Sequence, residues 1–278
     1  MPADGAIEGP IGLIAGNGAL PKLFAQGAAR AGRRVVAVAH RGETAQDLQQ
    51  EVEALTWVRV GQLGAILKTF KRAGVQQAAM AGGIDKRRLL GHFRPDWAGL
   101  RLLWRLARRR DDAMLKALAG VFEAHGIAII SSTAFLPEVL TPVGILGQVR
   151  PTATAQRDLA EGLRLAHAIG ALDVGQTVAL KEGTVVALEA LEGTDGCIER
   201  AGALTCGRGV VIVKAAKPGQ DMRFDVPTIG PQTVATAAAA GVLALGLEAG
   251  RTLILQAEET IEAANRAGMA LVGLKGAP

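Results

Sequence analysis

The chain has 278 residues, of which 49% are hydrophobic and 21% are charged, and its formal net charge is +5. This composition allows one large or two modest globular domains and argues against a disordered chain. Aromatic residues make up only 3% and tyrosine is absent, so the chain is poorly supplied with side chains that stack on nucleic-acid bases.

Three sequence features bear on the compartment. Cys197 and Cys206 have no histidine spaced to complete a zinc site and are expected to be reduced thiols. The first ten residues contain Asp4 and Glu8 and lack the apolar stretch of a signal peptide. The longest nearly apolar run, 234–247, has 14 residues, fewer than the roughly 20 that span a bilayer, and predicts a buried helix. We therefore expect a cytoplasmic protein.

The N-terminal half alternates short apolar runs with helical patterns. This alternation predicts a doubly wound parallel sheet, that is, a Rossmann-like α/β domain over residues 1–134. The predicted strands cover residues 11–15, 34–39, 57–60, 75–81 and 127–130, and the predicted helices cover residues 20–31, 44–55, 63–73, 96–109 and 112–125.

The pattern breaks over residues 135–151, where prolines and glycines cluster and predict a linker between domains. Residues 152–278 then predict a second α/β domain, which we expect to carry the catalytic groups. Its predicted elements are helices at 152–169, 233–247 and 258–266, a further helix after Asp195, a hairpin of 176–180 with 184–188, and strands at 210–214, 251–256 and 269–274.

The first candidate site is the turn Gly16-Asn17-Gly18, which follows the first predicted strand. Such a turn exposes backbone N–H groups at a helix N-terminus, where a phosphate or a ribose can bind, although a plain strand-to-helix turn has the same pattern. Pro21 stands near the place of the third glycine of a dinucleotide fingerprint, and His40-Arg41 supply no acidic residue for a ribose. The pattern argues against NAD and an oxidoreductase and leaves UDP binding open.

The second candidate site is Gly82-Gly83, which ends the fourth predicted strand and is followed by Asp85. Ligands gather at the carboxyl edge of open parallel sheets, but a turn whose charges face water has the same pattern.

The C-terminal half carries two charged segments. Residues 187–195 place Glu189, Glu192, Thr194 and Asp195 where a strand turns into a helix, and residues 214–230 form a charged loop after another strand. A polyphosphate needs cations for its oxygens and carboxylates for Mg²⁺, and both are present. The alternative is an internal ion-pair network that orders the loop.

Within this loop, Asp221, Arg223 and Asp225 alternate. If the segment is extended, the three side chains share one face, and two carboxylates flank the guanidinium.

These segments together resemble the LpxI-type UDP-2,3-diacylglucosamine pyrophosphatases. The resemblance covers nearly the whole chain, and the pattern of residues 214–230 is long and specific. The motifs are Ile11 to Gly18 with Leu20-Pro21, Ala81-Gly82-Gly83, Glu192-Gly193-Thr194-Asp195, and Lys214 to Gly230.

The resemblance implies Mg²⁺-dependent hydrolysis of UDP-2,3-diacylglucosamine to UMP and 2,3-diacylglucosamine 1-phosphate in lipid A biosynthesis. Water would attack the sugar-side phosphorus, and Asp225 matches the essential aspartate. The catalytic candidates are Asp225, Asp221, Arg223, Lys214 and Lys217; the metal-ligand candidates are Asp225 and Asp195; and the substrate-binding candidates are Gly16, Asn17, Gly18, Gly82, Gly83, Glu192, Gly193, Thr194, Gln220 and Thr233.

The histidines His40, His92, His125 and His167 are isolated in the sequence and do not supply a histidine-rich two-metal centre, which another enzyme class uses for the same hydrolysis. The alternative from a different functional class is a nonenzymatic regulator that binds a nucleotide or a nucleotide sugar at the first glycine turn.

A basic segment, 86–110, interleaves nine Lys and Arg residues with apolar ones that include Trp97 and Trp104. It predicts a helix that rests on an anionic membrane and receives a diacylated substrate, although an ordinary domain helix or a nucleic-acid surface has the same composition. We expect a protein peripheral to the inner membrane, without a nucleic-acid partner, and a possible homodimer.

Overall fold

The computed structural model describes residues 9–84, 96, 111–224 and 226–276, without the side chains of 111–115. The N-terminal unit contains the described residues up to Pro137 together with Asp221–Phe224, and the C-terminal unit contains the others. Three sequence predictions lie outside the described residues: the roles of Asp85 and Asp225, and the basic segment 86–110 except for Asp96.

The N-terminal unit is built on a parallel five-stranded sheet with the order β3-β2-β1-β4-β5. This confirms the predicted doubly wound sheet. The strands are β1 (Ile11–Ala15), β2 (Val35–His40), β3 (Ala54–Val58), β4 (Gln77–Ala81) and β5 (Ala128–Ile130), and the helices are α1 (Leu20–Arg30), α2 (Leu63–Arg72) and α3 (Asp111–Glu123).

Strands β1 and β2 are buried along their whole length, as their uninterrupted apolar sequences require of central parallel strands. Helices α2 and α3 cover the sheet through Phe70 and Phe122, which are fully buried with ring centroids 6.3 Å apart. The chain order reverses between β1 and β4, and open sheets of this type bind ligands outside the carboxyl ends of the strands at that point.

One predicted helix of this unit is wrong. Residues 44–55 were expected to be helical, but the structure has a 3₁₀ helix at Gln46–Glu51 and then β3, which begins earlier than predicted. In the edge strand β3 partly buried residues alternate with exposed ones, so its sequence carries only a weak apolar run.

The C-terminal unit has a mixed six-stranded sheet with the order β6-β13-β11-β9-β7-β8, which confirms a second α/β fold. Strands β9, β11 and β13 are parallel, and the predicted hairpin is β7 with β8. The strands are β6 (Gly144–Ile145), β7 (Thr177–Lys181), β8 (Thr184–Leu188), β9 (Val210–Lys214), β10 (Thr228–Ile229), β11 (Val242–Glu248), β12 (Leu253–Ile254) and β13 (Ala270–Leu274), and the helices are α4 (Ala153–Ala171), α5 (Gly193–Leu204), α6 (Pro231–Ala239) and α7 (Ala257–Arg266).

The predicted helix over 233–247 is wrong in its second half. Helix α6 ends at Ala239, and β11 then runs through the middle of the sheet between β9 and β13. Gly241 causes the break, because it has a φ of +70° and a Cβ there would lie 1.9 Å from the carbonyl oxygen of Gly207. Two smaller differences are that residues 144–145 of the predicted linker form β6, and that the strand expected at 251–256 is only the short β12.

None of the helices in the described part of the chain combines the length and the apolarity that a membrane crossing requires.

Candidate active site

The two glycine turns of the N-terminal unit, predicted separately, meet in the structure. Gly16 donates its N–H to the carbonyl of Ala81 (2.8 Å), and Asn17 donates its N–H to the carbonyl of Gly83 (2.7 Å). Both turns follow neighbouring strands, β1 and β4, at the point where the chain order reverses. We call Gly16, Asn17, Gly82 and Gly83 the glycine edge.

The glycine edge is packed too closely for side chains. A Cβ on Gly16 would lie 2.2 Å from the carbonyl oxygen of Gly83, and a Cβ on Gly82 would lie 2.2 Å from that of Asn17. Gly82 also has a φ of +83°, which other residues rarely adopt. The glycines are therefore required by the backbone contact itself, and the contact presents main-chain groups at the ligand-binding side of the sheet.

Polar side chains fix the backbone at the end of β1, where the chain enters the glycine edge. The carbonyl of Ala15 accepts hydrogen bonds from Nδ1 of His40 (2.9 Å) and from the hydroxyl of Thr44 (2.7 Å). Burial lowers the pKa of His40, so its ring is neutral at physiological pH and carries its proton on Nδ1, which faces the carbonyl. The side chain of Asn17 is also positioned, because its Nδ2 donates to Glu43 (2.9 Å).

Residues 221–224 form a turn, which corrects the expectation of an extended segment. The N–H of Phe224 donates to the carbonyl of Asp221 (3.1 Å). The Arg223 guanidinium donates to both carboxylate oxygens of Asp221 at 2.8 and 3.0 Å, and its Nη1 donates to Glu123 at 3.2 Å. Both predicted phosphate-site residues are thus engaged in an ion-pair network that orders the loop, the alternative that the sequence left open.

The same turn is attached to the rest of the N-terminal unit by its backbone and by an aromatic side chain. Ser132 donates its N–H to the carbonyl of Arg223 (3.3 Å). Phe224 packs against the apolar core of this unit, and the Arg223 guanidinium lies 4.9 Å from the centre of its ring. Residues 221–224 therefore hold the chain firmly on one side of position 225, which lies outside the described residues.

In the C-terminal unit, the strand directions bring the ends of several strands to one edge of the sheet. Lys214 ends β9 and is paired with Thr177, the first residue of the antiparallel β7, while β8 and β11 end beside them. Lys214 is only 6% exposed, and its ammonium donates to the carbonyl of Thr228 (2.8 Å). Helix α5 begins at this edge because it follows β8, and helix α6 begins two residues after β10, whose Thr228 carbonyl contacts Lys214, so both N-termini favour anions there.

Two buried carboxylates stand at the same edge. Glu189 follows β8, is 7% exposed, and accepts hydrogen bonds from the hydroxyl of Thr194 (3.2 Å) and the N–H of Gln176 (3.3 Å). Glu248 ends β11 and is 2% exposed. We call Glu189, Thr194, Lys214 and Glu248 the charged edge.

Sequence reasoning missed Glu248 as a site residue. The predicted helix over 233–247 concealed the strand that this glutamate ends. The sequence does carry a signal for it. Glu248 is a charged residue directly after the apolar run Val242 to Leu247, and Gly241, which breaks the helix, directly precedes that run. His167, interpreted as an isolated helix residue, lies beside Glu248, with Nε2 at 3.2 Å from Oε1.

The remaining candidates lie in the C-terminal unit with other partners. Lys217 pairs with Asp173 (2.8 Å), and Gln220 accepts the N–H of Lys217 (2.8 Å) and so closes the loop after β9. Glu192 pairs with Arg200, which lowers the pKa of this carboxyl.

Three more candidates lie in the first turns of the two helices that begin at the charged edge. Gly193 and Asp195 are in the first turn of α5, with Gly193 at a φ of +79°, and Thr233 is in the first turn of α6. Gly18, at a φ of +81°, belongs to the turn after β1 and has open space around it.

The predicted magnesium site finds no ready-made set of ligands in the part of the chain that the structure covers. No group of three or more His, Cys, Asp or Glu side chains there could hold one ion. The described residues therefore do not fit a dedicated all-protein cage.

Two α/β units, one with a glycine turn at its sheet edge and one with buried charges beside helix N-termini, are typical of enzymes that act on phosphorylated ligands. The comparisons with known proteins agree. The sequence matches the family models for the LpxI N-terminal domain over residues 10–139 and the LpxI C-terminal domain over residues 142–272. The UDP-2,3-diacylglucosamine pyrophosphatase LpxI of Caulobacter vibrioides is 36% identical over 274 residues, which cover 95% of this chain and 97% of that protein. The chain therefore belongs to the LpxI family.

Among solved structures, the matches include an ADP complex of N5-carboxyaminoimidazole ribonucleotide synthetase (14% identity, TM-score 0.29, 70% of this chain and 45% of that one). Another is the biotin carboxylase domain of Hydrogenobacter thermophilus 2-oxoglutarate carboxylase (14% identity, TM-score 0.27, 63% and 35%). Both TM-scores are too low to carry a functional argument.

Proposed function

We propose that this protein hydrolyses the pyrophosphate bond of UDP-2,3-diacylglucosamine and releases UMP and 2,3-diacylglucosamine 1-phosphate, a step in lipid A biosynthesis. The observation that carries the proposal is the nearly full-length match to a relative whose name describes this pyrophosphatase activity. Membership of the LpxI family, together with the pyrophosphatase activity named for the relative, makes the chain an enzyme, a hydrolase of phosphoric anhydrides. A regulator without turnover receives no specific support from the described residues.

The charged edge has the chemistry that a diphosphate requires. Negative charge grows on the phosphate oxygens during in-line attack by water, and groups that are already oriented toward that charge lower the barrier. The buried ammonium of Lys214 is one such group, and the N-termini of α5 and α6 are two others. UMP then leaves as a stable anion, so protonation of the leaving group contributes little.

The glycine edge has the chemistry of a nucleotide site, since it offers main-chain groups at the switch point of a nucleotide-binding type of sheet. Asp225 keeps the role that the resemblance gives it, orientation of the attacking water or contact with a metal. The residues before it support this role, because three contacts fix residues 221–224. These are the ion pair of Arg223 with Asp221, the hydrogen bond from the N–H of Ser132 to the carbonyl of Arg223, and the packing of Phe224 against the core.

Magnesium dependence is part of the proposal. Mg²⁺ in phosphate-handling enzymes is commonly held by one or two carboxylates together with substrate phosphates and several waters. Asp225 and Asp195 are the predicted protein ligands, and the remaining ligands would come from the diphosphate and from water.

The experiment is release of UMP from diacylated UDP-glucosamine, with and without EDTA, by wild type and by Asp225→Ala. We expect turnover that EDTA stops and that the substitution reduces by about 1000-fold or more, with an unchanged melting temperature. Turnover that persists in EDTA would refute the metal dependence alone. Wild-type protein that binds the substrate but releases no UMP would refute the enzyme and favour the regulator.

The substrate carries two acyl chains, so we also propose that the protein works at the cytoplasmic face of the inner membrane. The measurement is co-sedimentation with vesicles of anionic and of neutral lipids. Binding should be stronger to the anionic vesicles and weaken with salt. Equal recovery in the supernatant with both vesicles would contradict it.

A further inference from the structure

Glu248 is a buried charge in an unusual place. It is 2% exposed and ends the central strand β11, one position beyond the residue that pairs with Lys214. A buried carboxylate is costly unless it is paired and hydrogen-bonded, and even a well-paired one adds little net stability compared with an apolar residue. The main effect of Glu248 is therefore to fix the positions of the groups that it contacts.

Those partners connect Glu248 to the loop after β9. Oε2 accepts the backbone N–H of Ala216 at 2.8 Å. Oε1 lies 3.4 Å from the guanidinium of Arg251, whose other terminal nitrogen is 3.5 Å from the carbonyl of Lys217. His167 approaches the same Oε1 from α4 at 3.2 Å. One side chain thus reaches two successive residues of the loop, one directly and one through Arg251.

The loop's other backbone anchors are local or belong to the sheet. Ala215 donates its N–H to the carbonyl of Gln176 (3.0 Å), and Lys217 donates to the side chain of Gln220 within the loop (2.8 Å). The N–H of Ala216 is the one of these three that is bonded to a charged side chain of a neighbouring parallel strand. Loss of that charge would release the loop at its centre while β9 and β11 stay paired.

We propose that Glu248 is a positioning residue of the active site. Through Ala216 and Arg251 it fixes loop 215–220, and so places Lys214, the last residue of β9 before this loop, for the diphosphate. This inference rests on the proposed function for its substrate. A residue that only stabilises the fold would change the melting temperature and leave KM alone, whereas a positioning residue changes KM at a given stability.

The chain offers a matched control in Asp158. This carboxylate is also buried in the C-terminal unit (3% exposed) and accepts two backbone N–H groups, from Glu182 and Gly183, both at 2.8 Å. The turn of the β7–β8 hairpin that it holds lies at the opposite edge of the sheet, since Thr177, at the other end of β7, pairs with Lys214.

The test compares Glu248→Ala, Glu248→Gln and Asp158→Asn by melting temperature, by kcat and KM for UMP release, and by amide hydrogen exchange at Ala216 and Lys217. The glutamine keeps an oxygen for Ala216 but loses the charge that faces Arg251. We expect KM to rise about tenfold or more in Glu248→Ala and about threefold in Glu248→Gln. Asp158→Asn should lower the melting temperature without raising KM.

An unchanged KM in both Glu248 variants, with a melting temperature lowered as in Asp158→Asn, overturns the proposal. If Glu248→Ala fails to fold, the isosteric Glu248→Gln decides. If wild type releases no UMP, the proposed function fails, and hydrogen exchange then decides the positioning role by itself. In that case, equal protection of Ala216 and Lys217 in wild type and Glu248→Gln overturns it.

Discussion

The glycine edge and the charged edge are built in different ways. At the glycine edge, backbone atoms of two turns touch each other, and the Asn17 side chain donates to Glu43. At the charged edge, buried Lys214, Glu189 and Glu248 stand close to the ends of β9, β8 and β11. The first edge depends on the absence of side-chain volume, and the second depends on charge.

This difference predicts different responses to substitution. Added volume at the glycine edge has to move backbone atoms, so it should damage the fold and the activity together. A change of charge at the charged edge can keep the volume, so it should reduce the activity while the fold survives.

Gly16→Ala should give the largest effect. Its Cβ would lie 2.2 Å from the carbonyl oxygen of Gly83, so the two turns must separate. We expect a loss of about 3 kcal/mol or more in the free energy of unfolding, measured by urea titration, together with lost turnover. The matched control is Gly18→Ala, which has open space and only a φ of +81° to accommodate, for about 1 kcal/mol. Equal losses in the two variants would contradict the backbone contact.

Lys214→Met should reduce activity and spare the fold. Methionine keeps most of the apolar stem, while the ammonium that donates to Thr228 is lost. We expect kcat/KM for UMP release to fall about 100-fold, because a preoriented charge at the phosphate is removed. The control Lys181→Met replaces a lysine of the same sheet at the hairpin end of β7, and its kcat/KM should stay within about twofold. Similar losses in both variants would show that the edge has no special role.

Asp221→Asn should lower the stability at neutral pH, and its difference from wild type should vanish at low pH. The Arg223 guanidinium, which donates to both oxygens, holds the pKa of Asp221 below its ordinary value. A carboxyl with a depressed pKa stabilises the folded state above its ordinary pKa and loses this contribution as the pH falls through the depressed value. The urea midpoint of wild type should therefore drop below about pH 4 more steeply than that of the variant.

The control is Asp47→Asn. Asp47 also has a lowered pKa, through Lys22, but its side chain is 49% exposed, against 15% for Asp221. Solvent weakens exposed pairs, so this variant should follow wild type closely. A pH profile for Asp47→Asn that matches Asp221→Asn would contradict the argument.

The sequence was sufficient for the parts of the fold with local signals. The central strands β1, β4 and β9 are apolar runs with glycine or charged residues behind them, and their positions follow from that pattern. The meeting of the two glycine turns was not visible, because pairing of β1 with β4 joins residues 11–15 to 77–81 and is decided by the whole sheet. Local patterns do not encode such pairings.

The errors have equally physical causes. The alanine-rich stretch of α6 runs into β11 with only Ala240 and Gly241 between them, so helix propensity was extended into a buried strand. Because the boundary between α6 and β11 was misplaced, Glu248 was not recognised as the last residue of a strand. Arg223 was assigned to a phosphate because sequence shows which charges are present but not which are neutralised, and here Asp221 and Glu123 are its partners.

Cys206 provides the smallest expected effect and limits where the chemistry lies. Helix α5 begins at the charged edge and runs to the amino end of β9, so the exposed Cys206 after it lies at the opposite edge. Burial raises the pKa of Cys197 to about 12, so this thiol stays protonated and unreactive in the folded protein. Iodoacetamide at neutral pH should therefore add one label, at Cys206 by peptide mapping, and leave kcat/KM for UMP release unchanged. A large loss on labelling, absent in Cys206→Ser, would place part of the reaction at this opposite edge.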